Sequence, residues 1–368
     1  MAETSAIEWT DATWNPITGC TLASPGCQHC YAADLAATRL SSHPSRKGLT
    51  RRNSAGIAAW TGEVRLNTQW LDQPLRWGRP RRIFVCAHAD LFHENVPDEW
   101  IDRVFAVMAL APQHTFQVLT KRARRMREYF ARGGDGFMAA EARIEHRAKR
   151  IARERGAPIP VGQTLLGTMP FPHVWLGVSA EDQQRADERI PDLLKTPAAV
   201  RFGSFEPLLG PLNLLLTDSN GHDISALRGI ACDPTAPDGG DEYYRTGKLD
   251  WIIVGGESGR HARPMHPDWA RSLRDQAQAA GVPFLFKQWG EWADQTDAEK
   301  VTGSAHRIFT ADGKMLGVGV QNSRFGMGAV EPNWKERGGA WMSKVGKASA
   351  GRLLDGVEHN GMPEVRHG

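Results

Sequence analysis

Residues Gly19–Ala32 read GCTLASPGCQHCYA and hold three of the chain's five cysteines, Cys20, Cys27 and Cys30. The spacing is C-x6-C-x2-C, and the other two cysteines, Cys86 and Cys232, stand alone. Ser24-Pro25-Gly26 is strong turn chemistry, so the chain between Cys20 and Cys27 can fold back and turn three sulfurs inward. Thiolates select zinc or an iron–sulfur cluster. Structural zinc takes four ligands. No second C-x2-C is present, which leaves His29, His88 or His93 to supply a fourth. A [4Fe–4S] cluster held by three cysteines keeps one iron open to another ligand. Buried thiols without any metal are the third possibility. Cys86 reads as a small core residue and Cys232 as unligated.

These residues need a scaffold, and hydrophobic patterning predicts one. Near-continuous apolar runs read as buried parallel strands. They are ATWNPITGC before the cysteine loop, EVRLN (Glu63–Asn67), RIFVCAHAD (Arg82–Asp90), TFQVLTK (Thr115–Lys121), VWLGVSAE (Val174–Glu181), VRFGSFEP (Val200–Pro207), WIIVGGES (Trp251–Ser258) and PFLFKQWG (Pro283–Gly290). Amphipathic helical patterns lie between several of them, in VPDEWIDRVFAVMALA, AEDQQRADERIPDLLK and PDWARSLRDQAQAAG. Such alternation predicts an α/β fold, and eight strands predict a (β/α)-barrel over residues 1–290. Two stretches read as loop insertions, a charged helix near 132–167 and a Gly-, Asp- and Pro-rich segment near 216–247. Residues 291–368 read as a Gly-rich C-terminal extension packed on the barrel.

Barrel chemistry gathers where strands finish. Here the strand ends carry Asn67, Asp90, Lys121, Ser179 with Glu181, Glu206, Glu257 with Ser258, and Lys287 with Gln288. Charged groups repeated at equivalent ends predict a polar, ligand-filled mouth. Cys20 ends the first strand, so its loop would open onto the same mouth. A metal-dependent hydrolase built on Glu206, Glu257 and Asp90 would call for histidine ligands such as H-x-H on strands, and none is found.

Bulk composition bounds the rest. The 368 residues are 41% hydrophobic and 24% charged with a net charge of +3, a globular balance. Basic residues cluster in SRKGLTRRN (Ser45–Asn53), RWGRPRR (Arg76–Arg82), KRARRMR (Lys121–Arg127) and RIEHRAKRIARERG (Arg143–Gly156). Such clusters suit a polyanion, or else form solvated helix faces. Trp289 and Trp292, near the last strand end, could stack a base. MAETSAIEWTDATWN carries no signal-peptide pattern, and no apolar run approaches the roughly 18 residues of a membrane span. A cytoplasmic protein is therefore expected, with no membrane partner and with reduced thiols that point to metal or catalysis.

Three cysteines in a loop after the first strand of a (β/α)-barrel resemble the radical S-adenosylmethionine (SAM) superfamily. The usual spacing there is C-x3-C-x2-C with an aromatic residue before the last cysteine; here the first gap is six, and His29 precedes Cys30 with Tyr31 after it. The chain more closely resembles the phage and mobile-element gene product 37/gene product 68 family, a domain of unknown function with a three-Cys motif. WTDATWNPITGCTLASPGCQHCYA, DLFHENVPDEW, HTFQVLTKR, VWLGVSAEDQ, RFGSFEPLLGPL, WIIVGGESG, PFLFKQWGEW and VGKASAGRLLDG carry that resemblance. It implies an enzyme in which Cys20, Cys27 and Cys30 hold a [4Fe–4S] cluster that binds SAM, reduced by an electron donor. Lys121 would meet the SAM carboxylate, Asp90 or Glu181 its amino group or ribose, and His29 or Tyr31 its adenine. Ser179, Glu206 and Glu257 would complete the cofactor wall. It further implies a nucleic-acid substrate and a family-associated partner protein. The competing expectation is a zinc-stabilised barrel that binds nucleic acid or a protein and catalyses nothing.

Overall fold

Branched and aromatic residues between turn signals form seven parallel strands: β1 (Ala12–Trp14), β2 (Arg82–Val85), β3 (Thr115–Thr120), β4 (Val174–Ser179), β5 (Val200–Phe205), β6 (Trp251–Gly255) and β7 (Phe284–Gln288). They pair in sequence order from β1 at one edge to β7 at the other. The computed structural model describes Ser5 and residues 7–132, 137–156, 167–218, 220–234, 241–320 and 330–364. Among the described residues no ladder joins β1 to β7, so the sheet curls as a half-barrel rather than closing. The eighth expected strand is not in it. From Glu63–Asn67 only Arg65 and Leu66 pair, antiparallel to Ile17 and Thr18, on the chain that leads to Cys20. A run of two apolar residues among polar ones cannot cover both faces of a buried sheet.

The strands alternate strictly. Ile83, Val85, Val118, Leu176, Ile252 and Val254 face an outer core under the helices. Phe84, Trp175, Phe202, Trp251, Ile253 and Leu285 face inward and pack with Trp9, which precedes β1. Trp9 sits 4.8 Å from the Phe84 ring and 6.1 Å from Trp251, at 84° to the latter. Edge contacts of this kind fill a concave face with few heavy groups. Gly177 on β4 makes room for them: a Cβ there would lie 2.5 Å from the Phe202 ring.

Outer helices follow from caps and periodicity. α2 (Asp98–Ala109) begins after Pro97 with Asp98 and Glu99 in its first turn. α3 (Ala123–Ala131) follows β3, and α4 (Met138–Glu154) is the expected charged helix of the first insertion. Residues 133–136 and 157–166 of that insertion lie outside the described residues. α5 (Gln183–Leu194) is capped by Asp182, which accepts from the Arg185 amide at 2.9 Å. α6 (Pro267–Ala279) opens on proline at its first position. No described helix is long and apolar enough to cross a membrane.

Two stretches expected as loops are sheets. Leu215–Thr217, Asp223–Ser225, Ile230–Asp233 and Glu242–Arg245 make an antiparallel sheet. In it Leu216, Ile224 and Ala231 form one buried cross-strand row. Residues 235–240 of this segment lie outside the described ones. Trp292–Asp294, Ala305–Thr310, Met315–Val320 and Gly339–Lys344 make another, docked through Trp269 against Phe309 at 5.8 Å. Most of these strands are partly exposed and polar, so they lack the near-continuous apolar run that marks the buried parallel strands. The chain then returns to the main sheet. Asn360 bridges Leu285, the Gly361 amide donates to the Phe284 carbonyl at 2.9 Å, and Trp251 Nε1 donates to the Gly361 carbonyl at 2.7 Å. This segment covers the β7 edge, which would otherwise present unpaired backbone groups.

The Gly177–Phe202 contact yields a prediction. Gly177→Ala should destabilise the fold by about 1–3 kcal/mol through overpacking, read as a lower urea midpoint at unchanged slope. An unchanged midpoint would mean that the inner aromatic layer is not close-packed.

Candidate functional site

Above the inner aromatic layer, at the C-terminal end of the strands, lies a cavity of about 450 Å³. Cys20, Cys27, His29, Cys30, Tyr31, Asp90, Lys121, Ser179, Glu206 and Glu257 all line it, and Glu181 stands just behind. Its floor is Trp9, Phe84 and Leu119. The predicted residues are therefore brought together, but they divide into two groups by what already satisfies them.

Asp90, Glu181 and Glu257 are committed to the scaffold. Asp90 accepts from Thr120 Oγ1 at 2.7 Å, the Phe92 amide at 3.0 Å, the Lys121 amide at 3.0 Å and Arg122 Nη1 at 3.1 Å. The same guanidinium donates to Thr21 Oγ1 at 2.7 Å and approaches Cys20 Sγ at 3.7 Å. Glu181 accepts from the Gly26 amide at 2.9 Å, Arg189 Nη1 at 3.2 Å and Lys121 Nζ at 3.3 Å. Glu257 accepts from the Arg263 amide and Nε, both at 2.8 Å, and meets His29 Nδ1 at 3.1 Å. Arg263 also donates to the Pro25 carbonyl at 3.0 Å and to Gln28 Oε1 at 3.2 Å. Each carboxylate thus fastens one part of the cysteine loop. His29 is likewise held by Glu257.

Local backbone sets the sulfurs. Gly19 has φ of +99°, and a Cβ there would fall 2.0 Å from the Glu63 carbonyl oxygen, so only glycine lets the chain turn into Cys20. Cys27 ends a 3-10 turn, Pro25–Cys27, and Cys30 precedes α1 (Tyr31–Ala37). Burial pushes the Cys20 thiol up to about 12, with Asp90 adding to the shift and Arg122 opposing it. Burial also raises Cys30, opposed by hydrogen bonds from the Ala33 amide and the Trp60 side chain. Among the described residues no group of three His, Cys, Asp or Glu side chains, the cysteines included, is arranged to hold a metal ion.

The second group remains available to a ligand. Lys121 Nζ donates to Ser179 Oγ at 2.7 Å and to Glu181, which uses two of its three protons. Lys287 Nζ holds Glu206 at 2.7 and 2.9 Å. Tyr31 is half exposed, its hydroxyl donating to the Ala87 carbonyl at 3.1 Å. Trp9 Nε1, Gln288 Oε1, His88 Nδ1 and Glu8 Oε2 are buried without partners, and all four residues line the cavity. Buried polar atoms are ordinarily paired, so these four leave hydrogen-bonding capacity in the residues of the cavity wall that the protein itself does not fill. Burial, then the charge of Arg46, lowers His88 to about 4, so its imidazole is neutral at pH 7.

Sequence reasoning missed Arg122, Arg189 and Arg263. Only adjacency to a strand end signals the first, and nothing local signals the others. Trp289 and Trp292 are buried, donating to the Leu353 and Ala262 carbonyls at 2.8 Å each, so neither is a stacking platform. Cys86 is buried as expected, though it lies just beyond β2 at φ of +59°.

Glu181 gives a pH test. Burial alone would raise its carboxyl, but Lys121, the Gly26 amide and Arg189 pull it down to about 2. A depressed carboxylate contributes stability above its unfolded value near 4.5 and loses it as pH falls toward 2. Glu181→Gln should cost on the order of 3 kcal/mol at pH 7 and nearly nothing at pH 2, read by denaturant titration at both. Equal cost at the two pH values would remove the carboxylate from its role as loop anchor.

No curated protein and no solved structure matches the chain. The model of a family described as proteins of unknown function, DUF5131, matches residues 4–363. That span takes in every strand of the sheet, the cysteine loop and the covering C-terminal segment, and the chain therefore belongs to the DUF5131 family.

Proposed function

We propose that the cavity is the active site of an iron–sulfur enzyme of the radical SAM type. The observation that carries this reading is the meeting of three thiols with Lys121, Ser179 and Glu206 on one cavity at the C-terminal end of a sequentially ordered parallel sheet. The donor types suit a cluster, three thiols with N–H donors at Cys30 and Arg122 near Cys20, although the three sulfurs are not arranged around one metal position and would have to close on it. Burial disfavours these thiolates as they stand, and a bound cationic centre would offset that cost. Cys20, Cys27 and Cys30 would hold the cluster, and the Lys121 side of the cavity would hold SAM. Together these groups supply hydrogen-atom abstraction when bound and reduced.

The chain's own residues do the rest. Lys121 has one proton free for a carboxylate, and Ser179 and Glu181 fix where it points. Trp9 Nε1 offers a donor and Gln288 Oε1 an acceptor to a second ligand, fixing its orientation. Trp9, Phe84 and Leu119 keep the floor dry, which protects reactive chemistry from water. The Arg122, Glu181 and Arg263 anchors keep the cysteine loop over the cavity, so little ordering remains for the cluster to impose. Nucleic acid is the substrate class that the phage-family resemblance favours, and a cytoplasmic setting would keep the thiols reduced.

Anaerobic reconstitution tests the reading. Wild-type protein should bind iron and sulfide and, once reduced, convert SAM to 5′-deoxyadenosine; Cys27→Ala should lose both. Lys121→Ala should retain iron but weaken SAM binding by about 1–3 kcal/mol, roughly five- to 150-fold. Iron-replete protein that neither binds nor cleaves SAM would sink the proposal. Stoichiometric zinc with no iron would turn it toward a zinc-stabilised binding module.

A further inference from the structure

Of the four basic clusters in the sequence, three are drawn into ion pairs. Arg82 pairs with Asp11 at 2.8 Å, Arg127 with Asp192 at 3.0 Å and Arg143 with Asp102 at 3.3 Å. Arg82 also stands at the start of β2, at the opposite end of the sheet from the cavity. The cluster Ser45–Asn53 differs. Among the described residues no carboxylate pairs with Arg46, Arg51 or Arg52.

Arg46 is the anomaly. It is only 5% exposed, yet it carries a full charge. Its Nη1 donates to Ser45 Oγ at 2.5 Å, Ser45 Oγ meets His43 Nδ1 at 2.8 Å, and its guanidinium lies 5.5 Å from the Trp70 ring. Its Nε is buried with no hydrogen-bond partner. Burial alone lowers the guanidinium to about 10, since no acid offsets it. A buried, unpaired charge is costly, and removing an anion's water is repaid only where donors are already placed for it.

Arg46 lines a separate pocket of about 260 Å³ together with Ser41, Gly48, Thr50, Arg51 and Arg52. Three guanidinium groups and two hydroxyls, with no acid in the wall, complement a phosphate rather than a carboxylate-bearing cation or an apolar group. The pocket shares two elements with the cysteine-lined cavity. Ala36 and Ala37 of α1 form its back wall, while Tyr31 and Ala32 at the start of the same helix line the cavity. The strand Thr50–Arg52 pairs with Ala58–Trp60, and Trp60 lines the cavity beside Cys30. One seven-residue helix thus walls both spaces.

We propose that the Arg46 pocket binds a phosphate group, and that this phosphate belongs to the nucleotide whose base enters the cysteine-lined cavity. The second clause rests on the reading of that cavity as an active site; the first does not. A free nucleotide and a nucleic-acid strand offer the same phosphate chemistry, and the test separates them.

The experiment uses the full-length protein without iron or SAM. It titrates inorganic phosphate, a nucleoside 5′-monophosphate and a single-stranded oligonucleotide of about ten nucleotides. Wild-type protein should bind at least one of them, more weakly as salt rises. Arg46→Gln should weaken binding at least tenfold. Because Arg46 is buried, the exposed double variant Arg51→Glu/Arg52→Glu provides a second arm, with equal loss and an unchanged melting temperature. Preference for the monophosphate identifies a free nucleotide, and preference for the oligonucleotide identifies a strand. The preferred ligand should also slow alkylation of Cys27 and Cys30 in wild type and not in the double variant. Absence of binding by all three ligands, or binding that the double variant retains, overturns the phosphate site. Binding without thiol protection overturns the shared-nucleotide clause alone. Phosphate binding by a protein that fails to cleave SAM would leave the pocket standing and remove the radical reading.

Discussion

The buried ion pair between Asp90 and Arg122 is the contact on which the site depends. Both side chains are 7% exposed, so neither can lose its partner without leaving a charge in a low-dielectric interior. Asp90 lies beyond β2, Arg122 beyond β3, and the guanidinium reaches across to Thr21 beside Cys20. One pair thereby ties two strand ends to the first residues of the cysteine loop. Glu181 with the Gly26 amide and Glu257 with Arg263 repeat the device further along the loop. The cysteines sit on irregular backbone, and irregular backbone is rigid only where side chains pin it.

This division of labour explains the character of the cavity. Its acids are mostly spent on holding the wall in place, whereas Trp9 Nε1 and Gln288 Oε1 stay buried and unpaired in residues of that wall. The inner aromatic layer blocks the half-barrel from below. Ligands are confined to the upper level, where the strand ends turn polar.

Much of this was legible in the sequence, and the reasons for the rest are physical. Seven of eight strands follow from apolar runs long enough to be buried on both faces. Glu63–Asn67 misled because a strand end and a short bridging pair both leave a few alternating residues. The antiparallel sheets after Leu215 and Trp292 escaped because most of their strands keep one side partly exposed and polar, so no near-continuous apolar run marks them. The three cysteines and the charged strand ends converge as their positions in the chain imply. What the sequence could not show is which acids face a ligand and which face an arginine. Asp90 and Glu206 look alike in sequence, but only the fold brings Arg122 to one and Lys287 to the other. Arg46 was visible only as one member of a basic run, because burial without a partner is a property of three dimensions.

The segment His359–Met362 lies along β7 and reaches the inner layer, where Met362 packs among the aromatics and its sulfur meets Arg82. These partners are separated by 280 positions. During synthesis the concave face of the sheet must therefore wait, uncovered, until nearly the whole chain has left the ribosome. Trp9, made among the first residues, waits for Phe84, Phe202 and Trp251 in turn. A nascent chain of this design exposes a greasy trough for longer than a fold sealed by local contacts.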